Sequence, residues 1–181
     1  MILLLLLAAT RLFSVYSKDS YIEMPYGITL YWTFSGSKVH FTLKHPYELK
    51  HKYDYLAIGF YPKTGYATVK DVFLFYLDTQ EAEDRFMYLI PNAYPLRDYS
   101  EGGKSNIESY SKDKFIVLSR PVHTGDYYDI SFYGERRYEL WWGLGIRGAL
   151  DVEQPREEGK LEIELESSGK KCYPKIVSNC K

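Results

Sequence analysis

Cysteine is scarce in this chain: 181 residues carry 2, Cys172 and Cys180, both in the last ten positions. No His, Asp or Glu lies between them, and a lone cysteine pair makes a poor zinc site. An excess of charge of either sign is also missing. The 23 basic and 24 acidic residues leave a formal net charge of −1, which removes the electrostatic footprint of a nucleic-acid binder. Histidine is sparse, and His40, His45 and His51 stand at spacings that match no common metal-ligand motif. His45 and His51 are read as flanks of a solvated, lysine-rich loop, His40 as facing away from Val39 and Phe41, and His123 as without a role. There is no Gly-x-Ser-x-Gly elbow, no cysteine with a histidine partner, no phosphate-cradling glycine loop and no spacing that nominates two carboxylates. The expectation is a protein with no catalytic residues and no metal site.

One long apolar run is present, at residues 2–9. It is too short to span a bilayer, and the small residues Val15 and Ser17 suit cleavage before Lys18. The sequence therefore predicts a signal peptide over 1–17, a domain over 18–166 and a tail over 167–181, in a secreted protein or one of the secretory-pathway lumen. No hydrophobic stretch follows residue 166, so no transmembrane domain is expected beyond that leader. In an oxidising compartment Cys172 and Cys180 are expected to close a short loop, with pairing between chains or two free thiols as the alternatives.

What the chain has in abundance is aromatic residues, 17% of the total, 19 of them tyrosine. Tyrosine favours strands and half-wet surfaces. Alternation of period two runs through the body. Val39, Phe41 and Leu43 face one way with His40 and Thr42 the other, and Leu161, Ile163 and Leu165 alternate with glutamates. Nine such runs occur, at 28–34, 38–44, 55–61, 71–77, 85–90, 114–119, 128–133, 139–144 and 160–166, separated by turn-forming pieces. No window carries a helical apolar stripe; residues 153–159 make a helical turn at most. Many short strands in one domain predict an all-β antiparallel sandwich or barrel.

Five segments, in order, resemble the DOMON family, named for the N-terminal part of dopamine β-monooxygenase. They are Tyr31-Trp32-Thr33-Phe34, the strand ending Gly59-Phe60, Gly65 followed by Asp71 and its hydrophobic strand, Ser119-Arg120-Pro121 through Thr124-Gly125-Asp126, and Trp141-Trp142-Gly143. The last strand, from Gly159 to Leu165, closes the pattern. The resemblance implies an immunoglobulin-like antiparallel β-sandwich of about nine to eleven strands. It also implies one of three roles: a haem b cytochrome, a sugar binder, or a non-catalytic interaction module. Haem-binding members ligate iron with a Met after the loop glycine and a His beyond the Trp strand. Here the first position is Tyr66, no His follows Trp141, and neither Met24 (read as preceding the first strand) nor Met87 stands in its place. Haem b is therefore not expected.

The leading expectation is a secreted, non-enzymatic module that binds a protein partner or a glycan. Its alternatives are an electron-transfer cytochrome with atypical ligands and a structural subunit of a larger, membrane-associated assembly; the oligomeric state is not read. Tyr66 and Trp142 are the candidate pocket residues, lining or plugging the cavity that holds haem in relatives. Trp141 takes the family's Trp position and is read as structural, on the opposite face from Trp142, so that one of the two is core. Asp71, Arg120 and Asp126 are read as structural: Asp126 accepting backbone N–H groups, Arg120 pairing with a neighbouring acid, and Asp71 tying down its loop.

Overall fold

The computed structural model describes residues 20–63, 67–112, 115–132 and 137–165. Among these, eleven strands form two antiparallel sheets. In chain order the strands are β1 Ser20–Met24, β2 Ile28–Ser35, β3 Lys38–Lys44, β4 Tyr55–Pro62, β5 Val69–Tyr76, β6 Ala82–Tyr88, β7 Leu96–Arg97, β8 Glu108–Lys112, β9 Phe115–Pro121, β10 Arg137–Gly145 and β11 Glu157–Glu164. One sheet runs β1-β2-β3-β9-β8, the other β11-β10-β4-β5-β6-β7. The protein is the all-β sandwich that the alternation predicts.

The three central strands of the smaller sheet bury alternate residues: Ile28, Leu30 and Trp32 on β2, Val39, Phe41 and Leu43 on β3, Ile116 and Leu118 on β9. These meet the inward set of the larger sheet, Leu56, Ile58, Phe60, Phe73, Phe75 and Leu140 among them. Phe41 lies at the seam, its ring 5.2 Å from Phe60 and 5.3 Å from Phe73. Register keeps these faces together, since a slip of one residue would turn every one of these side chains to water. Gly36, at φ +59°, makes the two-residue turn from β2 to β3, a backbone shape other residues adopt only under strain.

The central strands β4 and β5 read as nearly continuous apolar runs because both their faces are covered. Outside the sandwich a second cluster forms from Tyr55, Ala57, Val72, Leu74, Met87, Trp141 and Val152. The cover comes from segment 146–155, pinned by Arg85: its guanidinium donates to Glu83, to Asp151 at 2.8 Å and to the Pro95 carbonyl at 3.1 Å. Among the described residues no helix is long and apolar enough to cross a membrane.

Several expectations need correction. The described part of the run at 128–133, residues 128–132, is not a strand: Ile130 and Phe132 are buried, but their backbone N–H groups go to the Asp71 carboxylate and the Val122 carbonyl instead of a ladder. Three strands were not read at all, the short or polar edge strands β1, β7 and β8. Met24 lies inside β1, and residues 157–159 belong to β11. His45 is not solvated: it is 7% exposed, with Nδ1 3.0 Å from the Pro46 carbonyl oxygen, and the loop after it winds into a 3-10 turn at Tyr47–His51. The leader at 1–17, the residues of the tail including Cys172 and Cys180, and Tyr66 lie outside the described residues.

Candidate functional site

A group of charged side chains lies between the sheets, where core packing alone would place hydrocarbon. Asp71 stands in phase with Phe73 and Phe75 on β5, Asp84 in phase with Phe86 on β6, and Arg120 in phase with Ile116 and Leu118 on β9. Every one of these phases faces the opposite sheet, so the register of three strands delivers two acids and a base to one interior site. Segment 122–132 adds Asp129, and the turn at Asp98–Glu101 adds Asp98.

Arg120 and Asp71 are both fully buried and make an ion pair of 2.7 Å, Nη1 to Oδ2. The same Nη1 lies 3.5 Å from Asp129 Oδ1, and Nη2 donates to the Ile130 carbonyl. The guanidinium is sandwiched by Phe73 and Phe132, whose ring centroids lie 5.4 and 4.9 Å from its carbon. Asp71 Oδ2 also accepts the Ile130 N–H at 2.9 Å. Asn106 holds two more acids, its N–H donating to Asp84 Oδ2 at 2.7 Å and its Nδ2 to Asp129 Oδ2 at 2.9 Å.

Four carboxylates therefore share one guanidinium, and burial sets their proton affinities. Loss of water pushes Asp84 up to about 9, helped by the charges of Asp71 and Asp129. Loss of water raises Asp98 to about 8, again helped by Asp129 and Asp71. Asp71 rises to about 7, burial and Asp129 outweighing the pull of Arg120. Sequence reasoning nominated no pair of carboxylates, and it missed this group. The available signal was an acid or base in the inward phase of an apolar strand, as at Asp71, Asp84 and Arg120.

Asp126 sits beside this centre, at the surface. Its Oδ2 accepts the Lys104 N–H at 2.7 Å and its Oδ1 the Tyr128 N–H at 3.1 Å, so it clamps two loops together. Gly103 lets those loops close, because a Cβ there would stand 2.9 Å from the Tyr128 ring.

Trp141 and Trp142 point to opposite faces of β10. Trp141 lies in the outer cluster and donates its indole N–H to Glu158 at 3.0 Å. Trp142 joins the core between the sheets, 7% exposed, edge-on to Tyr26 at 6.1 Å and lying across Gly159 of β11. Trp142 is thus part of the packed interior, while Tyr66 lies outside the described residues.

A third feature is the outer face of the smaller sheet. Cross-strand pairing aligns Tyr21, Tyr31, Thr42, Val117 and Tyr110 in one row across all five strands. The Tyr21 and Tyr31 rings lie 5.7 Å apart. A depression of about 320 Å³ opens along this row, lined by Tyr31, Trp32, Thr33, His40, Thr42 and Phe115. His40 thus faces the outer surface, as the alternation predicts.

No family model matches the sequence, and no curated protein matches it either.

Proposed function

We propose that the protein is a non-enzymatic, DOMON-like binding module of the secretory pathway or extracellular space, and that it binds glycans on the outer face of its smaller sheet. The observation that supports this reading is the row of tyrosines with hydroxyl neighbours around the depression at Tyr31, His40 and Phe115. An aromatic ring offers a flat apolar surface to the C–H face of a sugar, while Thr33, Thr42 and His40 supply donors and acceptors for its hydroxyls. With strands about 4.8 Å apart, five aligned positions span roughly 19 Å, room for an oligosaccharide rather than a single ring.

Haem has no part in this reading. The Trp142 indole, packed in the interior beside Tyr26 and Gly159, supports a reading without haem. The compartment follows from the apolar leader, and the absence of a catalytic role from the absence of a nucleophile–base pair in the sequence.

The test is a glycan array with the purified protein, followed by calorimetric titration of any hit. Tyr31→Ala is expected to weaken binding about tenfold, the size of one lost aromatic contact, with the fold unchanged because Tyr31 faces outward. No bound glycan, together with capture of a protein through the same face, would replace this reading with a protein partner.

A further inference from the structure

The interior charged group carries more than a structural role requires. An isolated buried ion pair is complete with one acid and one base, yet Arg120 is surrounded by Asp71, Asp84 and Asp129, with Asp98 adjoining. Each of the first three offers a carboxylate oxygen, and these oxygens all lie within 4.8 Å of one another. In each, Oδ2 is engaged: Asp71 by Arg120 and Ile130, Asp84 and Asp129 by Asn106. In each, Oδ1 is buried without a hydrogen-bond partner, although that of Asp129 lies 3.5 Å from Arg120 Nη1. Asp98 is only 1% exposed, and neither of its carboxylate oxygens has a partner. Buried acceptors are ordinarily satisfied, so this many free oxygens in one interior site calls for a cation.

We propose that Asp71, Asp84 and Asp129 form a calcium-binding site inside the sandwich, with the Asp98 carboxylate adding negative charge beside it. The donor set is oxygen only, which suits a hard cation and gives soft metals no ligand. Ca2+ holds oxygens at about 2.4 Å, so ligands on opposite sides of it stand about 4.8 Å apart, and carboxylates spaced as these are fit one coordination sphere. Mg2+ demands a near-ideal octahedron and gives up its waters reluctantly, so a buried cage of protein carboxylates suits it less well than Ca2+. Asn106, Ile130 and Arg120 hold the Oδ2 atoms and so orient the free oxygens, as hydrogen-bonding partners of metal ligands do elsewhere. The ligands come from β5, β6 and segment 122–132, so a bound ion would tie all three together.

The test uses the full protein, stripped with EDTA, dialysed and titrated with CaCl2 in a calorimeter, with thermal unfolding followed in parallel. Heat of binding and a rise in Tm of roughly 5–10 °C at a hundredfold excess over Kd are expected. Asp84→Asn should abolish both responses, while its own metal-free Tm stays close to that of the metal-free parent, because the amide is neutral, as the proton-holding acid is, and keeps an oxygen to accept the Asn106 N–H. Asp129→Asn gives a second reading should the first variant fail to fold. No heat and no change in Tm for the parent would overturn the site and leave the cluster to shared protons. A response to MgCl2 equal to that to CaCl2 would overturn the choice of calcium. A full calcium response in both variants would overturn the ligand assignment.

Discussion

Arg120 is the residue on which the interior charge balance turns. It is fully buried, its nearest acid is equally buried, and two phenylalanine rings close over it. Removing one member of such a pair strands the other in a medium where an unpaired charge is costly. Arg120→Ala is expected to lower the unfolding free energy by about 3–5 kcal/mol in urea titration, and a loss below about 1 kcal/mol would contradict this account. The residue was legible as an acid's partner from the sequence, but the partner was not. Asp71 is 49 positions away in the chain, and only pairing of both β5 and β9 into facing sheets brings the two within 2.7 Å.

At the scale of the element, the strands that were legible are those whose alternation is enforced by burial. β2, β3 and β9 put hydrocarbon against the opposite sheet at alternate residues, and their period is visible in the letters, while β4 and β5, covered on both faces, show as nearly continuous apolar runs. β8 is different: Glu-Ser-Tyr-Ser-Lys has no apolar period because it sits at an edge, and its place is decided by the free edge of β9. β10 and β11 meet at another local device, Trp142 lying across Gly159. A Cβ at residue 159 would stand 2.8 Å from three atoms of the indole. Gly159→Val is therefore expected to cost about 1–3 kcal/mol by overpacking. In a Trp142→Ala background the same substitution should cost far less, and equal costs in both backgrounds, measured by denaturant titration, would sink the coupling.

For the whole molecule, the buried acids couple folding to pH. Asp71, Asp84 and Asp98 bind protons more tightly folded than unfolded, with values of about 7, 9 and 8 against an ordinary carboxyl near 3.9. The unfolded chain thus releases these protons at lower pH, and the native state gains stability from them only where they are held. That gain is full below about pH 4 and is lost as pH rises through 7 to 9. Arg120 opposes the loss by favouring ionised Asp71, while Asp129 and Asp126 add to it. In EDTA, Tm is therefore expected to fall from pH 6 to pH 9, a window in which exposed carboxylates do not titrate. A flat or rising profile would count against carboxyls buried in their protonated form.

The fold class belongs to the sequence itself, because alternation of period two is a local property and the interior strands display their own inward sets, as β3 does with Val39, Phe41 and Leu43. The pairing of Trp141 and Trp142 to opposite faces is equally local, a consequence of strand geometry alone. What the tertiary structure decided is which of many acids matter. The sequence has 24 acidic residues, each equally able to sit in water. Asp71 and Asp84 are set apart because sheet register turns them inward, and Asp98 and Asp129 because loops carry them to the same interior site. Charge in water is screened and cheap, whereas charge between two sheets is neither, so the chemistry of these four residues comes from where the chain puts them.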